Sequence, residues 1–207
     1  MPKRQQKTLP RTSPRRKGSS SSGGAKQALQ AIARAMRRLK ARWYLFGAQA
    51  VLLHGAPRTT RDIDVTVFVE GPSSKLVAAL RAEKIVPRIE DAAFIEQTRV
   101  LPCEHLPTGW SVDVVLGGPG LEELIESEAI VHRLGSVAVP LLRIEHLLVL
   151  KTFAGRPQDL ADVTALLRLP GKTIALDEVR DLLKAMENDL SEDGFVARFD
   201  ELAGAES

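Results

Sequence analysis

The sequence predicts an α/β (α+β) fold: a mixed sheet flanked by helices, with a C-terminal helical part. Three observations point there. Asp62, Asp64 and Thr66 alternate with Ile63, Val65, Val67 and Val69, the two-residue period of a half-buried strand. Residues 110–117 form a second strand-like run, rich in Val and bounded by Gly109 and Gly117. From residue 142 onward, apolar residues recur at steps of three and four, the period of helices with one buried face.

Taken in order, residues 1–24 combine Lys, Arg, Pro, Ser and Gly and read as a disordered basic tail. Residues 25–42 read as a helix, with Leu29, Ile32, Met36 and Leu39 on one stripe. Its other face carries Arg34, Arg37, Arg38 and Lys40, which suits either phosphate tracking or plain solvation. An apolar run at 43–46 leads to Gly47, a residue that permits a tight turn. Residues 48–53 suit a short helix stopped by Gly55. A glycine turn that opens a helix presents free N–H groups, which favour a phosphate. Beyond the 62–69 strand come a helix to about residue 84, a strand at 85–88 and a short helix at 91–97. A strand over 99–106 is expected to be interrupted by Pro102. Residues 136–140 suit a strand. Helices follow over 142–154, from Pro157, and along the stripes Leu176–Met186 and Phe195–Leu202.

Composition narrows the function. The chain has 207 residues, 44% of them apolar, enough for one or two cores. Aromatic content is only 4%, which argues against a single-strand binding surface built on base stacking. No run approaches the ~20 apolar residues of a membrane span. A lone cysteine, Cys103, forms no internal disulfide or cysteine-rich zinc site. No secretory signal is visible, so a cytoplasmic location is expected. The net charge of +3 conceals a segregation: residues 1–61 hold 15 of the 29 Lys and Arg and none of the 26 Asp and Glu. Such an arm contacts an anion such as nucleic acid, solubilises the chain, or covers an acidic patch; composition leaves these open.

The chemistry concentrates on Asp62 and Asp64. Residues i and i+2 leave a strand on the same face, so these carboxylates stand roughly 7 Å apart along it. Like charges so placed repel, and burial raises the cost. A divalent cation relieves both effects, Mg²⁺ being typically held by one or two carboxylates plus phosphates and water. Asp113 stands singly among Val112, Val114 and Val115. A lone acid in such a run needs a partner, a metal or a capping role at a strand end.

A strand, a glycine turn, a short helix and a D-x-D strand together resemble the opening of the DNA polymerase β-like nucleotidyltransferase fold. The version here, Gly47-Ala48 through His54-Gly55, Arg58, Thr60 and Asp62-Ile63-Asp64-Val65, resembles the AbiEii-type toxin nucleotidyltransferases. Gly47-Ala48 stands where that superfamily usually has Gly-Ser. A later helix bearing Lys151, followed by Arg156, Asp159 and Asp162, resembles the same family, with Gln158 in place of a second lysine. The resemblance covers about residues 43–169. It implies a catalytic domain at 25–140 and a C-terminal helical region at 141–207.

That resemblance further implies a two-metal Mg²⁺ site on Asp62, Asp64 and Asp113, with Lys151 completing the catalytic set. Nucleotide binding would fall to Gly47, Ala48, Arg58, Thr60, Lys151 and Asp159. The activity implied is transfer of a nucleoside monophosphate from a nucleoside triphosphate to an acceptor. As in toxin relatives, tRNA or another RNA would be that acceptor, held through the basic N-terminal region, and an antitoxin protein would be a partner. The alternatives are a small-molecule or protein acceptor, or a non-catalytic relative that binds nucleotide or nucleic acid.

Overall fold

A computed structural model describes residues 21–89 and 91–204. Residues 1–20 of the tail expected over 1–24, with all seven of its Lys and Arg, lie outside the described residues. The chain order is α1 Ser21–Leu39, β1 Arg42–Phe46, α2 Gly47–His54, β2 Asp62–Phe68, α3 Ser73–Ala82, β3 Ile85–Pro87, α4 Ala92–Thr98, β4 Val100–His105 and β5 Trp110–Leu116. It continues with α5 Leu121–Ser127, β6 Ile130–Leu134, β7 Val137–Leu141, α6 Ile144–Ala154, α7 Pro157–Leu167, α8 Leu176–Leu190 and α9 Phe195–Gly204.

The strands form one mixed sheet in the order β3-β4-β5-β2-β1-β7-β6. Its central pair, β2 and β5, runs parallel, as do β1 and β7; the other neighbours are antiparallel. Alternation decides which side chains go where. Ile63, Val65 and Val67 are fully buried with Val112, Val114, Leu29, Ile32 and Met36 in the main core. Asp62, Asp64 and Thr66 leave the opposite face of the same strand. On that face Tyr44, Ile125 and Leu142 form a smaller cluster with Phe46, Phe68 and Leu150.

The structure differs from the sequence expectations in instructive places. Helix α1 begins at Ser21, so residues 21–24, read above as tail, are helical. It also ends at Leu39, because Arg42 already belongs to β1. Pro102 does not interrupt β4: the three-residue β3 ends opposite Cys103, and the Pro102 carbonyl accepts from the Arg88 N–H beyond it (2.8 Å). The basic face of α1 is partly an internal ion pair, with Arg34 and Arg38 reaching Glu83 at 2.7 and 3.2 Å. Helix α5 and edge strand β6 were not anticipated at all; both are short, and β6 is mostly exposed.

Residues 141–204 do not carry a separate core. Leu147, Leu148, Val163, Val179 and Phe199 belong to the same cluster as Ile63 and Val112. Among the described residues no helix is long and apolar enough to cross a membrane. Phe199 is fully buried. Its replacement by alanine should therefore lower the stability of the whole chain by about 3–5 kcal/mol. Denaturant unfolding followed by tryptophan fluorescence checks this, since Trp43 and Trp110 both lie in the sheet. An unshifted sheet transition would mean that the C-terminal helices unfold independently.

Candidate active site

A cleft of about 560 Å³ opens over the polar face of β2 and β5. All nine residues singled out in the sequence line it: Gly47, Ala48, Arg58, Thr60, Asp62, Asp64, Asp113, Lys151 and Asp159. They come from six separate segments of the chain, which the sheet and three helices bring together.

One wall is acidic. The parallel register sets Asp64 directly beside Asp113, and Asp62 follows on the same face two residues before Asp64. Burial, then Asp113, then Asp62, pushes the Asp64 carboxyl up to about 6; Lys151 and the Ala48 N–H act in the opposite sense. The Ala48 N–H hydrogen-bonds Asp64 from the first turn of α2. Gly47, at φ +67°, is what lets the carboxylate come so close, since a Cβ there would overlap it. Asp113 accepts a 3.0 Å hydrogen bond from Arg88, just past β3. The floor beyond Asp64 holds Thr66 and Tyr44, whose side chains hydrogen-bond each other.

The facing wall is a chain of alternating charges. Lys151, on α6, lies 2.7 Å from Asp159 and 2.8 Å from Asp162, both on α7. Arg156 pairs with Asp159 at 2.6 Å and Arg58 with Asp162 at 2.9 Å. Three cations thus share two carboxylates, leaving one positive charge in excess toward the cleft. Burial raises the Asp159 carboxyl, but hydrogen bonds from Lys151 and Arg156 outweigh it and hold it below its ordinary value. His54 takes no part: its Nε2–H donates to the Leu142 carbonyl (2.8 Å), tying α2 to the approach of α6.

The donor set fits a divalent cation. Three carboxylates converge on one cleft wall, and the carboxyl of the most enclosed of them, Asp64, is pushed up first by burial and then by the other two. Another convergent group, Glu128, His146 and Glu178, has ligand atoms within 4.8 Å of one another. None of its members lines the cleft, and Arg143 already bridges Glu128 and Glu178 at 2.6 and 2.8 Å.

Sequence reasoning missed Arg88, Thr66, Tyr44 and Glu122. Thr66 continues the i, i+2 series from Asp62 and Asp64, so that periodicity could have found it. Nothing near Arg88 in sequence signals its role, because it reaches the site only through the β3-β4-β5 register.

This arrangement defines a nucleotidyltransferase. Solved structures with the same fold include the antibiotic-resistance factor ANT(2'')-Ia, at TM-score 0.56 and 13% identity over 82% of this chain and 94% of that one. A nucleotidyltransferase-like protein from Paracoccidioides brasiliensis aligns at TM-score 0.54 and 17% identity, over 86% and 93% of the two chains. More particularly, the chain belongs to the AbiEii family, described as nucleotidyl transferase AbiEii toxin of a type IV toxin–antitoxin system, whose sequence profile matches residues 30–203. No curated protein sequence matches the chain.

The raised Asp64 value sets a pH test. Its folded value lies above its ordinary 3.8, so its charge costs stability above about pH 6. That cost fades as pH falls from about 6 toward 4, where the unfolded chain also becomes protonated. In chelator, Asp64→Asn should therefore melt higher than wild type at pH 8, with the gap closing by pH 4. Each kcal/mol recovered corresponds to about 2–4 °C in Tm for a chain of this size. Thermal denaturation across that range checks it, and a gap independent of pH would contradict the assigned strain.

Proposed function

We propose that this protein transfers a nucleoside monophosphate from a nucleoside triphosphate to the 3′ end of an RNA, tRNA in the first instance. The observation that carries the reading is the Asp64–Asp113 register, which sets three carboxylates across a cleft from Lys151 and Arg58.

Lys151 and Arg58 hold the triphosphate oxygens, with the backbone N–H groups of Gly47 and Ala48 at the start of α2. Asp159 and Asp162 orient Lys151. Arg156 and Thr60 stand at the sides of the same cleft and bind the nucleotide's polar edge. Asp62 and Asp64 would hold Mg²⁺, with Asp113 sharing the acceptor-side ion. When bound, the metal supplies charge neutralisation of the attacking and leaving oxygens. Asp113 accepts the proton of the attacking hydroxyl. That oxygen bonds to the α-phosphorus, the bond from the α-phosphorus to the bridging oxygen breaks, and pyrophosphate leaves. The protein's own work is positioning and electrostatics, as in other phosphoryl transfers.

The RNA acceptor is supported by the toxin family and by the basic residues concentrated before residue 62. The same family context supports an antitoxin protein as partner, and a nucleic-acid acceptor is consistent with action in the cytoplasm. The test is transfer of label from each α-³²P nucleoside triphosphate, with Mg²⁺, into total RNA, protein and small-molecule fractions. We expect label in RNA, reduced at least about 100-fold in Asp64→Ala. Label in another fraction would move the acceptor class. No label in any fraction, from folded protein, would overturn the catalytic reading.

A further inference from the structure

One row of residues crosses the sheet from the cleft carboxylates to its edge. Phe46 on β1 stands opposite Asp64 on β2, Asp64 beside Asp113 on β5, and Asp113 opposite Pro102 on β4. Arg88 completes the row, its N–H donating to the Pro102 carbonyl at 2.8 Å. Neighbouring strands lie about 4.8 Å apart, so Arg88 is about two strand spacings from Asp113. Its side chain spans that distance, and the guanidinium reaches Asp113 Oδ1 at 3.0 Å. The Arg88 side chain is 44% exposed and that of Asp113 37%, so both face water rather than the core.

Among the described residues, Asp113 has one ion-pair partner, Arg88, and Arg88 pairs with no other carboxylate. Among the described residues Asp62 forms no ion pair, and Asp64 faces Lys151 only across the cleft. Of the three carboxylates, one is thus already covered by a cation of the protein itself. It is the one that the proposed function assigns to the acceptor side.

We propose that Arg88 is a positioning residue that competes with the acceptor-side divalent ion for Asp113. Resting on that reading of the cleft, the competition works as follows. In the metal-free protein Arg88 holds the Asp113 carboxylate over the cleft and offsets part of the repulsion from Asp64. A divalent ion that takes the same carboxylate must displace the guanidinium, which can swing outward because it is half exposed and, among the described residues, holds no second carboxylate. Arg88 thereby weakens metal binding at the acceptor side, and Asp62 and Asp64 are left as the stronger ligands. The released guanidinium then stands at the acceptor side as a cation suited to a phosphate group.

The test uses Mn²⁺ alone, titrated into the full chain and followed by electron paramagnetic resonance, without nucleotide or acceptor. Removing the competitor should strengthen binding: Arg88→Ala should take up Mn²⁺ about five-fold more tightly than wild type, the scale of a partly exposed ion pair. Arg88→Lys should stay near wild type, because it keeps the charge. In an Asp113→Asn background, Arg88→Ala should change Mn²⁺ affinity far less. A gain in affinity is a readout that damage to the fold would not produce. Unchanged or weaker Mn²⁺ binding in Arg88→Ala, with wild-type binding still abolished by Asp64→Ala, would overturn the competition and leave the metal site standing. Mn²⁺ binding that Asp64→Ala does not affect would overturn both.

Discussion

The structure depends on one constraint: two carboxylates, Asp64 and Asp113, held side by side on parallel neighbouring strands. Their backbones are locked by the β2–β5 ladder, so the side chains cannot separate. Asp62 adds a third negative charge on the same face. Burial makes the repulsion worse, and the raised value of Asp64 is its direct expression. A sheet built only for stability would place Val or Thr there, as Val114 and Val65 are placed on the other face. The strain is tolerated because the main core lies on the opposite side of the same strands, where alternation sends Ile63, Val65, Val67, Val112 and Val114.

The surrounding structure answers that charge in graded ways. The N-terminus of α2 gives Asp64 an N–H and the favourable end of a helix dipole. Gly47 makes room for the approach. Arg88 covers Asp113 from the sheet edge. Across the cleft, Lys151 is not a free cation: it is pinned between Asp159 and Asp162, which are in turn held by Arg156 and Arg58. Such a pinned lysine has its position fixed and both its carboxylate partners in hydrogen-bond reach. A buried charge left without partners would be costly. The two walls are thus complementary, one with excess negative charge and one with excess positive charge. A phosphate chain with its divalent ions has the matching alternation.

The legible parts of the site share a property: each is a local pattern. The D-x-D pair is visible as a two-residue alternation, Gly47 and Gly55 as the ends of a short helix, and Lys151, Asp159 and Asp162 as helical spacings. Pro102 shows where local reasoning fails. A proline in a strand reads as an interruption, yet β4 runs through it because β3 has already ended on that side. Arg34 and Arg38 fail in the same way: on the sequence they are surface charge, and only the packing of α1 near the end of α3 gives them Glu83. Helix α5 and strand β6 were missed because seven- and five-residue elements carry too few periods to stand out.

By itself, then, the sequence determined the composition of the machinery: which strands and helices form, which residues bear charge among apolar neighbours, and which faces they occupy. Those features follow from backbone periodicity and side-chain chemistry within about ten residues. Only the tertiary structure decided what stands next to what. The Asp64–Asp113 neighbourhood, the Arg58–Asp162 pair and the reach of Arg88 to Asp113 arise from strand order and packing, which join residues 25 to 104 positions apart. No local spacing encodes such pairings, because the hydrogen-bond ladders and the packing of one continuous core select them together.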